Sequence, residues 1–106
     1  MKIKRTPTFK RNYKSLKKKY YDMQKLEIVL ELLVQQRTDI LYQKYRDHAL
    51  KGNKQGLREL HIEKDWLLVY EIKNDSLELW LLATVKHDDV LLSLINDQSY
   101  DLKNKQ

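Results

Sequence analysis

Apolar residues recur along this chain with two different periods, and the change between them divides it. Phe9, Tyr13, Leu16 and Tyr20 follow at steps of four, three and four, one stripe of an α-helix. Thr6-Pro7-Thr8 opens it, since a threonine can cap and a proline is tolerated in the first turn. Asp22 begins a second helix with Met23, Leu26, Leu30 and Leu33 as its stripe, widened by Val29 and Val34 and ending near Arg37. So short a connection predicts an antiparallel helix pair. From Thr38 to Gln55 the periodicity disappears, which predicts a long surface loop, and such loops in small domains are often functional.

From Leu57 onward the period is two. Leu60 and Ile62 alternate with Glu59 and His61; Trp66 to Lys73 is a nearly continuous apolar run suited to a central strand; Leu77, Leu79 and Leu81 alternate with Glu78, Trp80 and Leu82 in a third strand reaching about Val85. Lys73-Asn74-Asp75-Ser76 is a polar turn. Asp88 and Asp89 fit the acidic first turn of a short helix carrying Val90, Leu91, Leu94 and Ile95. Lys2 to Arg5 reads as an edge strand or a frayed arm. The predicted fold is α+β: an N-terminal antiparallel helix pair packed on a small, mainly antiparallel sheet, with a short C-terminal helix, in one domain over residues 1–95 followed by a polar tail over 96–106. Trp66 is expected in the core, Trp80 under the helices, and Arg58 with Glu59 in a cross-strand ion pair.

Composition narrows the function classes. With 106 residues and 42% apolar content, one modest core is affordable, and no apolar run is long enough to span a bilayer. There is no cysteine, which excludes disulfides, thiolate nucleophiles and sulfur-ligated metals. The expectation is a soluble cytoplasmic protein with no membrane partner. Charge is uneven. Residues 1–25 carry ten Lys/Arg and one acid, Asp22, a net +9, whereas residues 26–106 carry eleven against fourteen, a net −3. Lys10, Arg11, Lys14, Lys17 and Lys18 lie off the first helix's apolar stripe and make a cationic face that suits RNA or an acidic protein, or serves only solubility. Tyr42 and Tyr45 beside Lys44 and Arg46 form a weaker aromatic-basic signal.

The chain has three histidines, His48, His61 and His87. Histidine is the side chain whose ordinary pKa serves both acid and base near neutrality. Their separations match no compact metal motif, no glycine-rich phosphate loop is present, and no serine has a recognisable activating context, so no metal and no cofactor are expected. A basic domain with three histidines is compatible with RNA cleavage, which needs neither. The ribose 2′-hydroxyl is the nucleophile, and the protein supplies a base, an acid and positive charge.

Asp47-His48-Ala49-Leu50-Lys51-Gly52, Gly56-Leu57-Arg58-Glu59-Leu60-His61-Ile62 and Asp65-Trp66-Leu67-Leu68-Val69-Tyr70 carry a more specific signal. In this order and spacing they resemble the YafQ branch of the RelE/ParE toxin superfamily, where a D-H-x-L-x-G loop precedes a G-x-R-E-x-H-I strand and a D-W-L-L-(I/V)-Y strand. The resemblance runs from Asp47 to about His87, and the helix pair before it also suits the family. It implies a RelE-like fold and the toxin of a type II toxin–antitoxin pair, an endoribonuclease cutting messenger on the ribosome. The implied partners are a small acidic antitoxin, the translated mRNA, and operator DNA only through the antitoxin complex. By the same resemblance His48, His61, Asp65 and His87 match positions tied to activity. His87 would be the general acid, His61 or Asp65 the base or its orienter, and His48 a contact to phosphate or ribose. The family's arginine before the last histidine is Ala83 here, so positive charge at the phosphate would have to come from Lys86, Arg58 or Lys51. The alternative is a catalytically weakened member that binds RNA, ribosomes and antitoxin; the gyrase-inhibiting ParE branch lacks these histidines.

Overall fold

The computed structural model describes residues 1–50 and 56–86. Lys51, His87, the helix expected from Asp88 to Ile95 and the polar tail lie outside the described residues. Within them the chain runs β1 (Lys2–Arg5), α1 (Pro7–Lys18), α2 (Met23–Val34), α3 (Thr38–Tyr45), β2 (His48–Ala49), β3 (Arg58–Glu63), β4 (Trp66–Lys73) and β5 (Glu78–Lys86). The strands form one sheet in the order β1-β5-β4-β3-β2, with β1 parallel to β5 and every other pair antiparallel.

Thr6 ties the first helix to the sheet. Its hydroxyl accepts from the Phe9 N–H (3.1 Å), capping α1, and reaches the Leu81 and Leu82 carbonyls at 3.1 and 3.0 Å. Such a cap is worth about 1 kcal/mol, and here it is buried as well. Phe9 and Leu16 of α1 pack with Leu26, Val29, Leu30 and Leu33 of α2 on Leu60, Ile62, Trp66, Leu68, Tyr70, Leu79 and Leu81 of the sheet. The opposite sheet face carries a second apolar cluster of Leu57, Leu67, Val69, Leu82, Ala83 and Val85. Apolar contacts on both faces explain why the first five residues of β4 are all buried.

Three expectations need correction. The segment read as a loop from Thr38 to Gln55 contains α3 and β2. Leu41 and Tyr45, one helical turn apart, are the only buried residues of α3, too few for a periodic signal, and burial rather than propensity holds it. Tyr20 does not continue the α1 stripe. The helix has ended, Tyr20 sits at φ 63° and is 95% exposed, and Tyr21 instead packs edge-on against Trp66 at 5.1 Å. Trp80 lies against the second cluster rather than under the helices, with Lys73 Nζ 4.5 Å from its ring centroid.

A register irregularity between β4 and β5 explains the outer phase of that strand. Val69 faces Ala83 but Tyr70 faces Leu81, so Leu82 is an extra residue. The bulge re-phases the strand. Beyond it Thr84 turns to the helix side, accepting from Trp66 Nε1 (2.8 Å) while its N–H donates to Asn12 Oδ1 (3.2 Å), and Ala83 and Val85 turn to the other face.

Candidate active site

The positions of His48 and His61 follow from strand pairing. His61 alternates with the buried Leu60 and Ile62, so it lies on the sheet face away from α1 and α2. β2 lays His48 directly opposite Glu59, two residues before His61 on that face. The two imidazoles stand 6.3 Å apart between centroids, tilted by 32°. His48 Nδ1 lies 2.7 Å from the Arg46 carbonyl and His61 Nδ1 3.4 Å from the Lys64 carbonyl. A carbonyl only accepts, so each Nδ1 meets its carbonyl as a donor. Nε2 of His48 faces Glu59 Oε1 at 3.4 Å. Asp65 is exposed in the turn directly after β3.

The carboxylate that organises this edge is Asp47. It is buried and accepts from Arg58 Nη2 (2.9 Å), Arg58 Nε (3.3 Å) and the Tyr70 hydroxyl. Arg58 is therefore committed to Asp47, not to Glu59 as the sequence suggested, and Glu59 belongs to His48. The network ties the α3–β2 corner to β3 and β4 and so holds the backbone that carries His48. Desolvation of the Arg58 guanidinium is the largest influence on its pKa and opposes the charge. The bonds to Asp47 and Tyr70 and the Asp47 charge outweigh it, and the pKa is raised. Tyr70 is pushed well above the ordinary phenol value, first by burial and then by its bond to Asp47 and the Asp47 charge.

The folded protein thus keeps the Tyr70 proton at pH values where the unfolded chain releases it. That raised pKa adds stability present in full below about pH 10 and lost as pH rises further. Between pH 8 and pH 10.5 the loss from this group alone is about 0.8 kcal/mol. Tyr70→Phe lowers stability at pH 8 by about 1–2 kcal/mol through the lost bond to Asp47. Its thermal midpoint then falls less than the wild type's between the two pH values, by about 3 °C or more. Equal falls in paired thermal melts would contradict this assignment.

The other predicted residues divide. Lys86 is exposed at the end of β5, next to Val85 in the row of His61, but it pairs with Trp66 and so leaves the sheet on the helix face, opposite His61. Ala83 is on the histidine face, in line with Glu59 through Val69, but it is 0% exposed within the apolar cluster. Lys10, Arg11, Lys14, Lys17 and Lys18 are all exposed on α1, which packs on the opposite sheet face and against β5, across the sheet from His48 and His61. The structure does not bring these five cations to the histidines. Sequence reasoning did not single out Asp47, Glu59 or Tyr70 as site residues. The alternation placing Glu59 with His61 was visible, whereas nothing local announced that Asp47 meets Tyr70 from 23 positions away.

Among the described residues no group of three His, Asp or Glu is arranged to hold a metal ion, and no helix is long and apolar enough to cross a membrane. The profile of the family described as bacterial toxin of type II toxin–antitoxin system, YafQ, matches residues 1–92. The mRNA interferase toxin YafQ of Escherichia coli K12 is 36% identical over 64 residues, 60% of this chain and 68% of that protein. E. coli YafQ in its complex with DinJ has a similar structure, with a TM-score of 0.72 and 29% identity, covering 81% of this chain and 92% of that one. A metal-bound toxin from Helicobacter pylori gives 0.74 and 34%, covering 84% and 97%.

Proposed function

Given that this chain belongs to the YafQ family of toxins of bacterial type II toxin–antitoxin systems, we propose that it is an endoribonuclease that cuts messenger RNA on the ribosome. The observation that carries this reading is the placement of His48 and His61, with Glu59, on one face of a rigid sheet edge, 6.3 Å between rings. In the reaction a base takes the proton of the ribose 2′-hydroxyl, O2′ bonds to phosphorus, and the P–O5′ bond breaks as an acid protonates the departing O5′. The products are a 2′,3′-cyclic phosphate and a 5′-hydroxyl end. His61 acts as the base, with Asp65 in the next turn orienting it; His48, held by the Arg46 carbonyl and Glu59, contacts the phosphate. His87 is the general acid. With Ala83 buried and Arg58 bound to Asp47, Lys86 stabilises the developing charge, its long side chain reaching round the end of β5 from the helix face.

The α1 cations, on the far face, serve to dock ribosomal RNA rather than to touch the scissile phosphate. An acidic antitoxin neutralises the toxin, reaches operator DNA together with it, and acts with it in the cytoplasm, where the ribosomes are. The test is primer extension on a messenger translated by purified ribosomes. Wild-type protein is expected to produce defined in-frame breaks whose 5′ fragments end in a cyclic phosphate, and a 2′-deoxy substitution at the cut site should abolish them. Ribosome binding by folded protein without any break would instead favour the weakened binding module.

A further inference from the structure

A cleft of about 400 Å³ opens between the C-terminal end of α3 and the β3–β4 turn, lined by Lys44, Tyr45, Arg46, His61, Ile62, Glu63 and Lys64. His61 forms one wall, so the cleft is continuous with the candidate catalytic groups. Its floor is Tyr45 and Ile62, both buried, and its rim is Lys44, Arg46 and Lys64, all exposed. None of these three cations takes part in an ion pair among the described residues; Lys44 Nζ stands 5.5 Å from the Tyr45 ring centroid. The one carboxylate of the lining, Glu63, is already held by Lys25 at 2.9 Å. What remains is an anion-seeking rim over an apolar floor, beside a histidine assigned to phosphodiester chemistry.

We propose that this cleft is a nucleotide subsite: it binds the phosphate of a residue flanking the scissile bond on Lys44, Arg46 and Lys64, and seats that residue's sugar or base against Tyr45 and Ile62. The inference rests on the RNA-cleaving reading and deepens it. A mixed polar and apolar concavity suits a nucleotide better than an inorganic anion, which needs no floor. Arg46 also has a structural part: it takes the left-handed conformation (φ 54°) that ends α3 and offers its carbonyl to His48. The two lysines are the cleaner probes.

The experiment compares wild type with Lys44→Ala/Lys64→Ala in binding a fluorescent 2′-O-methyl hexanucleotide copied from the cut site found by primer extension. The double variant is expected to bind at least tenfold more weakly, with a log affinity against log salt slope shallower by about one. Its affinity for the antitoxin and its thermal midpoint are expected to stay close to wild type. Lys44→Arg/Lys64→Arg is expected to restore RNA binding. RNA affinity within twofold of wild type would overturn the subsite while the wild-type breaks leave the enzyme reading standing. Loss of antitoxin affinity with RNA binding intact would reassign the cleft to protein docking. If wild-type protein makes no breaks, the enzyme reading fails and the subsite falls with it.

Discussion

His61→Ala is expected to slow messenger cleavage about 10²–10⁴-fold while leaving the fold intact, the range a positioned acid or base contributes. The side chain is half-buried, and its bond to the Lys64 carbonyl is long at 3.4 Å and holds it weakly. Its position is stiff for another reason. Leu60 and Ile62 on either side are both buried in the core under the helices, and a site carried by such a strand is held more closely than one on a loop. The measurement is single-turnover cleavage on preformed ribosomal complexes, with a thermal melt as the folding control. A rate within threefold of wild type, with an unchanged melt, would remove His61 from the acid–base step. His48→Ala is expected to be milder, because a phosphate contact is lost rather than a proton-transfer group.

Asp47→Ala carries the largest expected cost in stability. It strands the Tyr70 hydroxyl and the Arg58 guanidinium, both of which lie against the buried carboxylate. Breaking a fully buried pair costs about 3–5 kcal/mol. Arg58 keeps 39% of its side chain in solvent, so part of its charge is recovered by water, and about 2–4 kcal/mol is the expectation here. For a chain of this size that lowers the thermal midpoint by roughly 10–20 °C. Cleavage measured well below the midpoint is also expected to fall, since the corner from Arg46 to Ala49 that carries His48 loses its tie to β3 and β4. Asp47→Asn, which keeps an acceptor for Tyr70 and the shape of the site, should cost clearly less. A midpoint shift of under 3 °C for Asp47→Ala would show that the corner is held by packing alone.

Much of the fold was legible because it is written in local periodicity. The stripes around Leu16 and Leu30, the alternation from Leu60 to His61, the apolar run of β4 and the Thr6-Pro7 helix entry all appear in the structure where the pattern puts them. Of the candidate site, His48 and His61 were singled out by residue type and by resemblance, and their meeting is a property of β2–β3 pairing. α3 escaped notice because two buried residues do not make a period. Asp47 stood first in the segments that carry the resemblance, but its structural part escaped because nothing along the chain shows that it is buried against Arg58 and Tyr70.

The sequence by itself determined the order of the long helices and strands, their core faces, the cationic face of α1 and the residue types proposed for RNA cleavage. These follow from side-chain periodicity and from each residue's own chemistry, neither of which needs a partner. Only the tertiary structure decided which partners met. Arg58 went to Asp47 rather than to its neighbour Glu59, because adjacent residues on a strand point to opposite faces. Glu59 went to His48 by strand register. The cations of α1 ended across the sheet from the histidines, since the helix must bury Phe9 and Leu16 on the other face. Ala83 and Val85 came to the histidine face, not beneath the helices, because one extra residue at Leu82 shifted the phase of β5. Register, burial and bulges are long-range facts, and periodicity along a single chain does not contain them.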